Sequence, residues 1–209
     1  MARPETDIKA VRQQLLIVAD EMVRARGAVD FTMTDLARAA DMSPSNVYRF
    51  FENKDALAEA MAGMWFAELI EIMEEVVASD LEPRAKLYEF FRRRLAIKQA
   101  RYDADPALFT SYMDLGELYF DVIRGYVDLA DHFMASILAE AMEAGYFPGL
   151  SLDRLMSLTN LMLQPFCNPR VMRMMSGSLD ETKLAQIIDA IFDGLKATKV
   201  DENTLSLVS

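Results

Sequence analysis

The 209-residue chain predicts an all-α protein. Glycine and proline are sparse, at 8 and 7 residues, so few positions interrupt a helix. Apolar residues recur three and four apart almost throughout, the spacing of a helix with one buried face. No run alternates apolar and polar with period two, as a half-buried strand would.

The elements follow in order. A first helix is predicted from Asp7 to Ala25, with Ile8, Val11, Leu15, Val18 and Met22 as its apolar stripe and Gly27 as its stop. Thr32 caps a short second helix, with Asp35 placed three residues on to answer it. Its inward residues are Leu36, Ala39 and Ala40. Asp41 and Met42 make a turn. Ser43 caps a third helix that has Pro44 at its first position, where a missing N–H costs nothing, and that ends near Phe51. Asn53 caps a long fourth helix to Ala78. A fifth is predicted over 83–101, and a short one over 106–113. Asp114 is then expected to cap one long helix over 115–144, about 45 Å at 1.5 Å per residue. Gly145 and the "FPG" at 147–149 stop it. Ser151 caps a helix to Leu163, which Pro165 and Pro169 end or kink. Asp180 opens the last helix, to Thr198, and a frayed tail follows.

The layout suggests two parts: residues 1–52, three short helices with tight turns, and residues 53–209, built from long helices. The fourth helix belongs to both. Hydrophobic residues make up 52% of the chain, which argues against disorder. No apolar run reaches the roughly 18 residues that span a bilayer, and the N-terminus lacks the apolar core of a secretion signal. A single cysteine excludes an internal disulfide and fits a reducing cytoplasm. With one cysteine and one histidine, a Cys/His zinc site within one chain is not expected. Little remains for a Ser-His-Asp triad, and no phosphate loop or other nucleophile-and-base pairing supports an enzyme of hydrophobic substrates. No metal or cofactor is expected.

The net charge of −11 looks wrong for a nucleic-acid binder. It is unevenly spread. Residues 1–55 hold 8 Lys/Arg and 9 Asp/Glu, whereas residues 56–209 hold 14 and 24. The head is near neutral, so any DNA binding must come from local placement of charge and helix ends rather than from a global field.

The stretch "DMSPSNVYRFFENKDAL", Asp41 to Leu57, carries the most specific pattern. On a helical wheel Val47, Phe50 and Phe51 form one face, while Ser45, Tyr48, Arg49 and Glu52 form another. An apolar face pins the helix and a hydroxyl, a phenol and a guanidinium point out. With the short helix before it, this makes a helix-turn-helix, whose second helix enters the major groove. Asn46 and Arg49 suit base edges, Asn adenine and Arg guanine. Ser45 and Tyr48 suit phosphate or methyl contacts. Lys54, in the first turn of the next helix, lies where free N–H groups favour a phosphate. Thr34 offers a second hydroxyl clamp.

Residues 8–57, and above all "FTMTDLARAADMSPSNVYRFFENKDAL", resemble the DNA-binding domain of TetR-type transcriptional regulators. The resemblance implies an N-terminal three-helix helix-turn-helix domain followed by a larger helical ligand-binding and dimerisation domain. It implies a homodimer on a palindromic double-stranded DNA operator, usually a repressor released by a small-molecule effector. By position, Thr34, Ser45, Asn46, Tyr48 and Lys54 match the family's DNA contacts. Two departures stand out. Asp41 holds a turn position often given to glycine, and asparagine and aspartate tolerate the left-handed conformation better than most residues. Phe50 replaces a His or Tyr that can bond a phosphate, which implies one backbone contact fewer and a shallow salt dependence. A helical protein-interaction module that no longer reads DNA is the alternative.

Other signals are weaker. Leu155 and Met162 on the helix after Ser151, with Leu184, Ile188, Ile191 and Leu195 on the last helix, are candidates for a four-helix interface with a twofold mate; filling their own core is the plainer alternative. Phe91, Leu95, Phe109, Tyr112, Met113, Tyr119, Tyr126 and Phe133 are candidate lining for an effector pocket, with an apolar or aromatic molecule expected. An ordinary bundle core competes with that reading for each residue. His132 is a possible polar anchor but more simply an exposed side chain, Cys167 more simply a structural thiol, and "FRRRLAIK" at 91–98 a solvated face.

Overall fold

The structure, a computed structural model, describes residues 7–27 and 29–195. The helices are α1 (Ile8–Arg26), α2 (Met33–Ala39), α3 (Pro44–Val47), α4 (Lys54–Ala78), α5 (Pro83–Ala104), α6 (Pro106–Leu118), α7 (Phe120–Glu143), α8 (Leu152–Cys167), α9 (Pro169–Met174) and α10 (Glu181–Gly194), with a 3₁₀ turn at Ser176–Ser178. Among the described residues there is no strand, as the all-α expectation required.

Capping residues set most of the starts. The Asp7 carboxylate accepts from Ala10 N–H at 3.1 Å, and Gly27 ends α1 in the left-handed region at φ 67°. Thr32 and Asp35 close a reciprocal capping box on α2. Ser43 caps α3, and Asp41 takes the left-handed turn at φ 52°. Asn53 Oδ1 accepts from Ala56 N–H at 2.8 Å at the head of α4, and Asp180 does the same for Lys183 at 2.8 Å on α10. The last helix ends at Gly194; the expected extension to Thr198 and the frayed tail lie outside the described residues.

Three expectations need correction. The long helix over 115–144 is two helices. Asp105 caps α6, and Leu108, Phe109, Tyr112 and Leu115 bury one continuous face, which carries the helix straight through Asp114. The break comes at Tyr119 (φ −118°, ψ 47°), where the backbone bonds Tyr119 N–H to Leu115 O at 2.9 Å and Ile123 N–H to Tyr119 O at 3.2 Å survive. A one-residue kink bridged by these two bonds leaves little trace in sequence. Second, α8 runs through Pro165 to Cys167. The proline deprives the Leu161 carbonyl of its donor, but Leu161 is 73% exposed and water can serve it. Third, the buried row of α1 is Leu15, Leu16, Ala19 and Val23, about one residue round from the expected stripe, and Ile8 faces solvent.

The chain divides into two compact units. The first runs to Glu71 and resumes over Ala96–Ala130; the second is Ile72–Leu95 with the chain from Asp131 onward. In the first, α1 to α3 and the start of α4 enclose Leu15, Ala19, Phe31, Leu36, Val47, Phe51 and Met61, and α6 completes the same core with Leu108, Tyr112 and Leu115. In the second, Leu87, Phe90, Phe91, Ile137, Leu138, Leu155, Leu163, Leu184 and Ile191 are buried. There Lys86, nearly fully buried, is held by Glu140 at 2.8 Å and by the Val77 carbonyl at 3.2 Å.

Candidate nucleic-acid interface

The pair α2–α3 carries the expected reading surface. Val47 and Phe51 are fully buried and anchor α3, while Tyr48 stays 49% exposed. Thr34, Ser45 and Arg49 are exposed and Asn46 half-buried. Only Pro44–Val47 is α-helical; Arg49 and Phe50 N–H turn to the carbonyls three residues back, at 3.2 and 2.9 Å, so the helix tightens as it ends. The Ser43 and Ser45 hydroxyls are 3.1 Å apart, and Arg49 donates to Asn46 Oδ1 at 3.4 Å. Both candidate base readers therefore stand side by side, each orienting the other. The Asp35 carboxyl sits below the ordinary carboxylate range because the Thr32 N–H and hydroxyl bind its charged form.

Lys54 opens α4 but turns back: its Nζ lies 3.5 Å from the Val29 carbonyl and 5.9 Å from the centre of the Phe31 ring. Phe50 is buried and offers no surface for a phosphate. Arg12 is a residue the sequence reading missed. Its guanidinium donates to the Phe50 carbonyl and lies 4.4 Å over the Phe51 ring, pinning the end of the reading helix to α1. No local pattern marks it, since the contact spans 38 positions.

The candidate effector residues fall in both units. In the first, Phe109 and Tyr112 are buried and Met113, Tyr119 and Tyr126 half-buried. Tyr112 stacks on Trp65 with ring centres 4.1 Å apart and donates to Asp20 at 2.7 Å. Burial, and then the hydrogen bond to Asp20 and its charge, push its phenol pKa well above the ordinary value. Tyr126 stacks on Phe66 at 5.0 Å, its hydroxyl so close to Gly63 that a Cβ there would lie 2.9 Å away. In the second unit Phe91 and Leu95 are buried and Phe133 half-buried.

Of the candidate interface residues, Leu155, Leu184, Ile188 and Ile191 are at most 1% exposed within the protomer, so they fill their own core. Met162 and Leu195 keep partial exposure. His132 is exposed, and Cys167 donates its S–H to the Leu163 carbonyl at 3.2 Å. The arginine run is not uniformly solvated. Arg92 and Arg93 pair with Glu89 at 2.7 and 3.1 Å, whereas Arg94 turns inward among the phenylalanines of α5. Among the described residues no group of His, Cys, Asp or Glu could hold a metal ion, and no helix is long and apolar enough to cross a membrane.

Residues 15–61 match the family model for bacterial regulatory proteins of the tetR family, and residues 83–188 match that for the tetracyclin repressor-like C-terminal domain. An uncharacterized HTH-type transcriptional regulator in the dhlA 5' region of Xanthobacter autotrophicus is 28% identical over 170 residues, 71% of this chain and 82% of that one. The fold is similar to that of the TetR-family repressor FadR of Thermus thermophilus, solved in complex with lauroyl-CoA, at TM-score 0.59 and 21% identity over 90% of this chain and 97% of that one. It is also similar to the fatty acid degradation regulator FadR of Bacillus halodurans, at TM-score 0.57 and 18% identity over 93% and 98%. With one model on the reading head and another on half of the chain beyond it, the protein belongs to the TetR family of transcriptional regulators and carries that family's helix-turn-helix DNA-binding domain.

Proposed function

We propose that the protein is a cytoplasmic, homodimeric repressor that leaves a palindromic operator when a small apolar or aromatic effector binds its C-terminal helices. The observation that carries this reading is a chain of contacts from α5 and α6 to the reading head. Arg101 of α5 donates to the Trp65 carbonyl at 2.6 Å, and its guanidinium lies 4.6 Å over the Trp65 ring. Trp65 stacks on Tyr112 of α6, Tyr112 holds Asp20 of α1, and Arg12 of α1 grips the end of the reading helix. A small displacement of α5 or α6 is thereby delivered to α1. Half-sites lie one helical turn apart, about 34–36 Å, and tolerate little change in head position. Effector and operator affinities are then coupled reciprocally. Lauroyl-CoA in the Thermus relative supports an effector site in this fold. For the dimer, the surface of α8 and α10 that remains open includes Leu161, Met162 and Leu195.

Selection of the purified protein against random duplex DNA tests this directly. Enrichment of a palindrome, with affinity falling only shallowly with salt, is the expected result. A folded dimer that enriches no sequence at low salt overturns it in favour of a protein-interaction module. Tyr112→Phe then tests the relay: operator affinity should hold while its response to effector weakens.

A further inference from the structure

The inward row of α5 is Leu87, Phe90, Phe91 and Leu95, each at most 2% exposed, and Arg94 lies in that row. Its guanidinium carbon is 4.6 Å from the centre of the Phe90 ring and 6.0 Å from that of Phe91. Its Nε is sealed from solvent and meets no hydrogen-bond acceptor among the described residues. The neighbouring arginines differ: Arg92 and Arg93 are answered by Glu89 and Glu75. The titratable groups within electrostatic reach of Arg94 among the described residues include Cys167 and Asp131. The Cys167 thiol donates to the Leu163 carbonyl at 3.2 Å, and Asp131 accepts the Asn160 amide at 3.3 Å. Next to Asn160, the fully buried Thr159 hydroxyl is a second polar group without a hydrogen bond.

Two facts about Arg94 together are informative. It lies deep enough for burial to push its pKa down, yet the side chain as a whole retains accessible surface. Its Nε is sealed, while the rest of the side chain can still be reached. A guanidinium does not shed its proton in a protein, and a sealed N–H left without an acceptor is costly. Ring faces attract it more weakly than a carboxylate does. One planar fork with Asp131 in range matches a single carboxylate; a phosphate dianion calls for more donors.

Resting on the effector-responsive reading above, we propose that Arg94 is the anchor for the carboxylate of an effector whose apolar body lies among the helices of the second unit. The ligand is therefore an apolar or aromatic monoacid.

The test uses the full chain, unfolded and refolded to strip any carried compound. Benzoate and octanoate are titrated calorimetrically beside benzamide and octanamide, into wild type, Arg94→Lys and Arg94→Met. The carboxylates should bind about tenfold or more tighter than their amides. Arg94→Met should abolish that preference and Arg94→Lys keep part of it. Without ligand, Arg94→Met should melt at a higher temperature, which also shows that it folds. Equal affinity for acid and amide, or a preference that survives in Arg94→Met, overturns the anchor. Operator release by the amides alone would overturn the anchor and leave the effector reading standing; a selected operator whose affinity neither class alters would overturn both.

Discussion

In the reading head, Thr32, Ser43 and Asn53 each spend a side-chain oxygen on a backbone N–H three residues ahead, and the groups left over face outward. In the interior of the second unit, Arg94 Nε and Thr159 Oγ1 are buried and accept or donate nothing. The head is satisfied within itself and offers its surplus polarity to an external partner. The second unit keeps unmet polarity inside. On the function proposed above, the contrast fits a head that binds a polymer and an interior that takes a small molecule: a DNA reader needs a rigid element with polar groups outside, whereas an effector site needs polar groups that only the effector completes.

The largest expected effect probes the head's rigidity. Phe51→Ala removes a fully buried ring on which Arg12 rests and should cost about 3–5 kcal/mol in denaturant unfolding. A loss under about 1 kcal/mol would mean the head is loosely packed. Next, Tyr48→Ala should weaken operator binding by about 1–3 kcal/mol while changing the melting temperature little, because half of that side chain is exposed. Coupled losses of affinity and stability would move Tyr48 from the interface to the core. Thr32→Ala opens the capping box and should cost about 1 kcal/mol in thermal stability. An unchanged melting temperature would show that packing alone holds α2.

The smallest effect is a titration. The folded-state pKa of Asp35 lies below its ordinary 3.8, so its contribution is complete above that value and disappears as pH falls through the lowered one. The Thr32 amide, which donates to Asp35 at 3.0 Å, reports it by NMR. A midpoint below 3.8 is expected, and one at or above 3.8 would break the box as described.

The head was legible because its determinants are local. Thr32 with Asp35, Ser43 with Pro44, and the left-handed Asp41 are each decided within four residues, so caps, turn and outward face follow from reading along the chain. The second unit was less legible. Within "RRR" nothing distinguishes Arg94 from Arg92 and Arg93 except its register with Phe90 and Phe91, and only the packed helix makes that register an interior one. Phe147, left-handed at φ 58°, gave no warning either, because its strain is held by burial beside Phe192 at 4.9 Å.

By itself, then, the sequence determined the helical class, most helix starts and the outward face of the head, since caps and spacings of three or four positions decide all of these. The tertiary structure decided what crosses long stretches of chain. It set the one-residue break at Tyr119, the Tyr112–Asp20 tie across 92 positions, the Arg12 clamp on the reading helix and the inward turn of Arg94. Each depends on which faces meet, and burial, unlike capping, is a property of neighbours that the chain brings together only when it folds.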